Sequence, residues 1–389
     1  MLSPEARLVF RTADPACEAA EVAAVAREVT DWPRVFAIAE REMATSHLWR
    51  ELRRADAALP DEAADAFRRA ALMRDLGLQR LAQRAQRTSQ VLAERGIPFM
   101  LLKGAAVGAM FDPTFRSRPM GDVDLLVHRD DTTRAKEAVI DSGWPLTSDP
   151  NLLALLEDAH HLPHFVDPQM PGSRLELHVM LMPDDQPFAF DERDLWRDAR
   201  PAPAPFTGAS VPSPQHLLLH AAVHFAWQHT MTFGAWRTIR VIALVTQGSA
   251  FDWDAFVRAA IAARARTSCY WTLRLAQTLS GVRAPAGVLE RLAPPTPRFA
   301  LGALERHFIA TIAVGERAPS PSVKVTRLLW ISAMRPKWSG HADPGRWDPE
   351  NKWAAAYGLK STETLPARIA RHFAHLGEWW SFVWGTIVP

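Results

Sequence analysis

A chain of 389 residues, 48% hydrophobic and 23% charged, holds enough apolar material for two or three packed units and does not have the composition of a disordered protein. Its formal net charge of +2 lacks the basic excess with which a dedicated duplex-binding protein neutralises phosphates, so nucleic acid is not an expected partner. Cys17 and Cys269 share no metal or redox spacing, the first residues lack a signal-peptide pattern, and no run reaches the roughly 20 apolar residues of a membrane span, so the expectation is a soluble protein of the reducing cytoplasm.

The first 95 residues read as a helical region, and Leu78, Leu81, Ala85, Thr88 and Leu92 share one face of its last helix. Gly96 suits the left-handed position that ends a helix, and Ile97-Pro98-Phe99-Met100-Leu101-Leu102 follows as a short buried strand. After Lys103-Gly104, the small residues from Ala105 to Met110 predict a helix packed closely on a sheet. A loop with Arg116, Arg118 and Pro119 leads to a strand, Val123–Val127. A helix capped by Asp131 is expected from there to Ile140, stopping near Gly143. Leu175-Glu176-Leu177-His178-Val179 alternates apolar and polar residues, the pattern of a half-buried strand. The reading is an α+β or α/β core over 96–200, a small mixed sheet between helical flanks. Prolines make 201–214 a linker, 215–315 a carboxyl-terminal helical domain, and 316–389 a Trp- and Pro-rich extension. In that extension Ile369, Phe373, Leu376, Trp379, Trp380 and Val383 align on one face of an expected terminal helix that docks on the body.

Asp122 and Asp124 stand one residue apart at the mouth of an apolar strand, so both carboxylates project from one face. Charges placed there are costly without a partner, and hard carboxylate oxygens suit magnesium, with manganese as the alternative. The strand that ends at Lys103-Gly104 and turns into a helix presents free backbone N–H groups to an anion. Gly104 permits close approach there, and Lys103 offers a compact positive charge to a phosphate oxygen. Arg116 and Arg118 are candidate phosphate clamps, with surface charge as the plainer alternative. Glu176 supplies a third carboxylate, suited to sharing a metal with the pair and to deprotonating an incoming hydroxyl. His178, two residues on and on the same face, can orient a ligand, donate to a phosphate or pack at the strand edge.

The three segments Gly-Ile-Pro-Phe-Met-Leu-Leu-Lys-Gly-Ala-Ala, Arg-Pro-Met-Gly-Asp-Val-Asp-Leu-Leu-Val and Leu-Glu-Leu-His together resemble the bacterial uncharacterised nucleotidyltransferase family, over about residues 75–245. That family is similar to the DNA-polymerase-β-like superfamily, whose pattern is a strand–glycine–helix turn, an Asp-x-Asp pair and a later carboxylate. The resemblance implies Lys103 and Gly104 at the phosphate turn, Asp122 and Asp124 as the metal pair, and Glu176 as the third acid. It implies an enzyme that transfers NMP from an NTP to a hydroxyl or phosphate acceptor on a small molecule, sugar or peptide, releasing pyrophosphate by a two-metal mechanism. The alternative is a catalytically silent nucleotide- or glycan-binding accessory protein of polysaccharide or natural-product assembly. His216, His220 and His224 recur every four residues on an expected helix, compatible with zinc but better placed to face nucleotide or acceptor across a cleft, with core packing as the other reading. His160, His161 and His164 form a second group, before the Glu176 strand, with acceptor or phosphate contact and surface solvation as the two readings.

Overall fold

The computed structural model describes residues 2–146, 160–182, 186, 188–229, 231–247, 251–294 and 298–313. The terminal helix expected around Ile369–Val383 lies outside the described residues. The chain is a mixed α+β protein with a six-stranded sheet and helices on both flanks. Four helices lead in: α1 (Pro4–Arg11), α2 (Ala19–Ala26), α3 (Trp32–Arg41) and α4 (Thr45–Arg54). They are followed by α5 (Asp61–Glu94), a helix of 34 residues whose face Leu78, Leu81, Ala85, Thr88 and Leu92 is buried as the periodicity requires.

Gly96 adopts φ 61 after α5, and the Ile97 N–H reaches back to Leu92 O at 3.0 Å, so the helix closes with a left-handed cap. That turn delivers the chain directly into β1 (Phe99–Leu101), which leads to α6 (Lys103–Phe111) and then β2 (Asp122–Val127). β1 and β2 pair antiparallel, Leu101 opposite Leu125. Next come α7 (Thr132–Asp141), the edge strand β3 (Phe165–Asp167) and β4 (Met170–His178). The Asp131 carboxylate does not cap α7 as expected; it bonds Arg134 Nη1 at 2.7 Å, so this side chain serves an ion pair on the helix surface. Gly143 does end the helix, at φ 100.

The sheet order is β3-β4-β2-β1-β6-β5, completed by the two-residue strands β5 (Arg200–Pro201) and β6 (Ser210–Val211) that flank α8 (Glu192–Arg197) on its carboxyl side. β5 and β6 thus lie within the proline-rich stretch, and β6 runs parallel to β1 with Ser210 beside Met100. Parallel pairing of β2 with β4 sets Asp124 beside Glu176 and Leu125 beside Leu177. Because side chains alternate across a strand, Val123, Leu125, Leu175 and Leu177 all enter the core, while Asp122, Asp124, Glu176 and His178 share the opposite face. Arg80 and Arg84 of α5 hold the buried Asp167 of β3 at 2.8 and 3.4 Å, fixing the sheet edge against the long helix.

The carboxyl-terminal helices are α9 (Pro214–Val223), α10 (Ala235–Thr246), α11 (Trp253–Ala262), α12 (Arg266–Ser280), α13 (Val288–Leu292) and α14 (Arg298–Ala313). They pack against the amino-terminal helix α1 as well as α6. The Trp236 indole donates to Thr12 Oγ1 at 3.2 Å and its backbone N–H to the buried Glu42 at 3.0 Å. Arg240 Nε donates to Ser117 O at 2.9 Å, tying α10 to the loop before β2. α9 lies on α6, which brings its histidines toward the sheet.

Candidate active site

α6 begins at the end of β1 with Leu102 as its N-cap, a residue with no side-chain oxygen to satisfy the first-turn amides. Lys103 takes a left-handed conformation there, φ 44, which only a close structural demand sustains in a residue with a Cβ. The Leu102 N–H bonds Asp124 O at 3.0 Å, so the strand ends hold the two side chains together: Lys103 Nζ lies 2.7 Å from Asp124 Oδ1 and 3.6 Å from Glu176 Oε2. Gly104 cannot carry a side chain in this arrangement. A Cβ would fall on the Arg118 guanidinium and stand 2.6 Å from Met120 Sδ.

His178, 1% exposed, places Nε2 3.0 Å from Asp124 Oδ1 and 3.4 Å from Glu176 Oε2. His164 Nε2 meets the other oxygen of Glu176 at 3.2 Å. Ligand-capable atoms of Asp124, Glu176 and His178 all lie within 4.8 Å of one another, a group that can hold a metal ion. Asp122 shares their face but does not join the group, so the residues that converge are Asp124, Glu176 and His178, where Asp122, Asp124 and Glu176 were expected.

Burial alone would protonate these acids, and the cations decide otherwise. Asp124 is held below the usual carboxylate range against its burial by Lys103 and His178. Glu176 is driven far below it, again against burial, by hydrogen bonds from His164 and His178 and by Lys103. Asp122 goes the other way, raised by burial and by the Asp124 charge. Lys103 and His178 are each raised, since the carboxylates outweigh the burial that would lower them.

The remaining expected residues divide. Arg118 is half-buried over Gly104, and burial with the Arg237 charge pushes its guanidinium down to about 10. Arg116 is exposed and faces Asp75 at 3.6 Å, away from the carboxylates. His160 and His161 lie on the segment that runs beside the end of β4, and their rings stand 5.4 Å from that of His178. Of the α9 stripe, His216 belongs to the helix cap, 3.0 Å from Ser213 Oγ. His220 is 2% exposed with its Nε2 unpartnered, and feels the charges of Lys103, His178 and Asp124. After His220 the helix widens into a π-turn, His224–Gln228, which brings the His224 and His229 rings to 4.4 Å. Arg237, on α10, carries no motif that singles it out in the sequence, yet its charge reaches Asp122 and Arg118.

A sheet end that gathers carboxylates beside a glycine-lined helix start is the architecture of a phosphoryl- or nucleotidyl-transfer site. The sequence pattern of the family described as uncharacterised nucleotidyltransferase matches residues 28–281, more than half of the chain, and the chain belongs to that family. No curated protein matches it, and no solved structure does.

Proposed function

We propose that this protein transfers NMP from an NTP to a hydroxyl or phosphate acceptor and releases pyrophosphate. The observation that carries the reading is the β2–β4 register, which sets ionised Asp124 beside ionised Glu176, with Asp122 on the same face and Lys103, at the start of α6, next to them. The residues fit a divalent ion, because three donors converge and the place already accommodates a cationic group, the Lys103 ammonium 2.7 Å from Asp124. Asp124, Glu176 and His178 would hold it, with Asp122 alongside; an imidazole in the set is better tolerated by manganese than by magnesium. When bound, such an ion neutralises triphosphate charge and polarises the reacting phosphoryl group.

The chain's own groups have separable duties. Lys103, the Gly104 amide and Arg118 present positive charge and N–H donors to the triphosphate. Two roles were expected of Glu176, ligand and general base, and its depressed proton affinity favours the first. His164 and His178 orient that carboxylate by taking one oxygen each. An acceptor finds room in a recess of about 730 Å³ at the carboxyl end of β4, lined by Val179, Met180, Phe188 and Trp196 among others.

The test is metal-dependent pyrophosphate release. Each NTP is mixed with pooled hydroxyl-bearing acceptors and Mg²⁺ or Mn²⁺, and the acceptors are weighed for added NMP. Release by the wild-type protein and none by Asp124→Asn is the expected outcome. Absence of release from every NTP with either ion would remove the reading.

A further inference from the structure

The partly buried arginines of this protein are, as a rule, matched. Arg80 sits on Asp167, Arg50 on Asp75, Arg11 on Glu21, and Arg240 on a backbone carbonyl. Arg118 and Arg237 are exceptions: among the described residues neither closes an ion pair or a hydrogen bond, and the Nε of each is buried without a partner. A guanidinium nitrogen withdrawn from water without such bonds is costly, and two like charges near one another add to that cost. The carboxylates that face them at longer range are Asp122 and Asp124 for Arg118, and Asp122 and Glu42 for Arg237.

Both guanidiniums are seated on glycines. Arg118 lies over Gly104 at the start of α6. Arg237 Nη2 lies over Gly234, 3.2 Å from where a Cβ would stand; His229 Nδ1 lies 2.9 Å from that same point, and Gly234 itself has φ 81. Arg240, one turn on from Arg237, donates to Ser117 O next to Arg118 at 2.9 Å, so α10 brings Arg237 toward the loop that carries Arg118, and His229 feels the charges of both. Planar forks from two directions, an ammonium and free helix amides are the donors that phosphate oxygens take.

We propose that Arg237, supplied by the carboxyl-terminal helices, completes with Arg118 a clamp for the β- and γ-phosphates of the nucleotide, the part that departs as pyrophosphate. The proposal rests on the nucleotidyltransferase reading for the identity of its ligand. It gives the helical flank a direct part in the site: the phosphate place is half built by the sheet domain and half by α10.

The probe is inorganic pyrophosphate without metal, titrated calorimetrically into the full chain and into Arg118→Gln, Arg237→Gln and Arg237→Lys. Pyrophosphate binds the wild type; each Gln variant loses about tenfold or more in affinity, and Arg237→Lys, which keeps charge but not the fork, falls between. Urea unfolding of the ligand-free proteins separates this from misfolding, since removing an unmatched charge raises the unfolding midpoint of Arg118→Gln and Arg237→Gln. Wild-type pyrophosphate affinity in Arg237→Gln, or a lowered midpoint with unchanged affinity, overturns the clamp. If Arg237→Gln keeps that affinity while the wild type turns over NTP, the clamp falls and the enzyme reading stands. If pyrophosphate binds through both arginines and no NTP is ever cleaved, the clamp stands and the enzyme reading falls.

Discussion

Glu176 is the residue on which the chemistry can be divided most cleanly. His164 and His178 each hold one of its oxygens, and together with Lys103 they keep it ionised well below the usual range. A carboxylate so reluctant to accept a proton is a good ligand and a poor base. Glu176→Gln is therefore expected to weaken Mn²⁺ binding in a titration and to lower transfer on the order of a hundredfold or more. Transfer lost with Mn²⁺ affinity intact would return the general-base role to Glu176. Asp122, Asp124, Lys103, Gly104 and Glu176 were legible as candidates because strand ends and Asp-x-Asp spacing are local signals. His164 was visible only as one of a loop cluster, and Arg237 not at all. Their positions depend on how a loop folds back on β4 and how α10 docks, contacts between residues far apart in the chain.

Among the elements, α6 shows how small residues set the depth of a helix against its neighbours. Gly108, one turn after Gly104, receives the ring of Phe115, which is fully buried and stacked on Phe206 with centroids 5.8 Å apart. A Cβ at Gly108 would overlap that ring. Gly108→Ala is expected to lower stability by roughly 1–3 kcal/mol through overpacking, seen as a lower urea midpoint with an unchanged slope. An unchanged midpoint would mean that Phe115 has another place to go. The run Ala105–Met110 announced such a helix, and β1, β2 and the end of β4 were announced by apolar or alternating runs. β3, β5 and β6 were not, since strands of two or three residues at a sheet margin are too short to show a period, and prolines disguise β5 as linker. Asp131 was misjudged as a cap for a different reason: Arg134, one turn on, competes for the same carboxylate.

At the scale of the molecule, buried imidazoles dominate the response to acid. Burial first, then neighbouring cations, lowers His160, His220 and His229 to about 3 each. The unfolded chain binds protons at these positions below about 6.5, and the folded protein does so only near 3, so stability falls as pH drops through that window. For the fully buried His220 the slope is about 1.4 kcal/mol per pH unit. Asp124 and Glu176, depressed in the fold, add stability above the unfolded carboxylate values that is lost as pH falls through their folded ones. His178, raised, contributes below about 6.5 and loses its contribution as pH rises through its folded value. Stability should therefore peak near neutrality. Urea unfolding at about pH 7 and about pH 5 should show a clear fall in the wild type and a shallower one in His220→Leu. Equal falls would assign the acid response elsewhere. That the helices at either end meet each other was not legible in any local pattern. Trp236 reaching Thr12 and Glu42 closes the two flanks into one body behind the sheet, a pairing that no local pattern encodes.

Lys103 returns at this largest scale in another guise. Its ammonium and the His178 ring match Asp124 and Glu176 from within the chain, and the left-handed turn fastens that lysine to the end of the sheet. The fold thus carries its own counter-charge at this place. The sheet can close around the carboxylates with the lysine alone to balance them, so folding of this corner needs nothing from outside the chain.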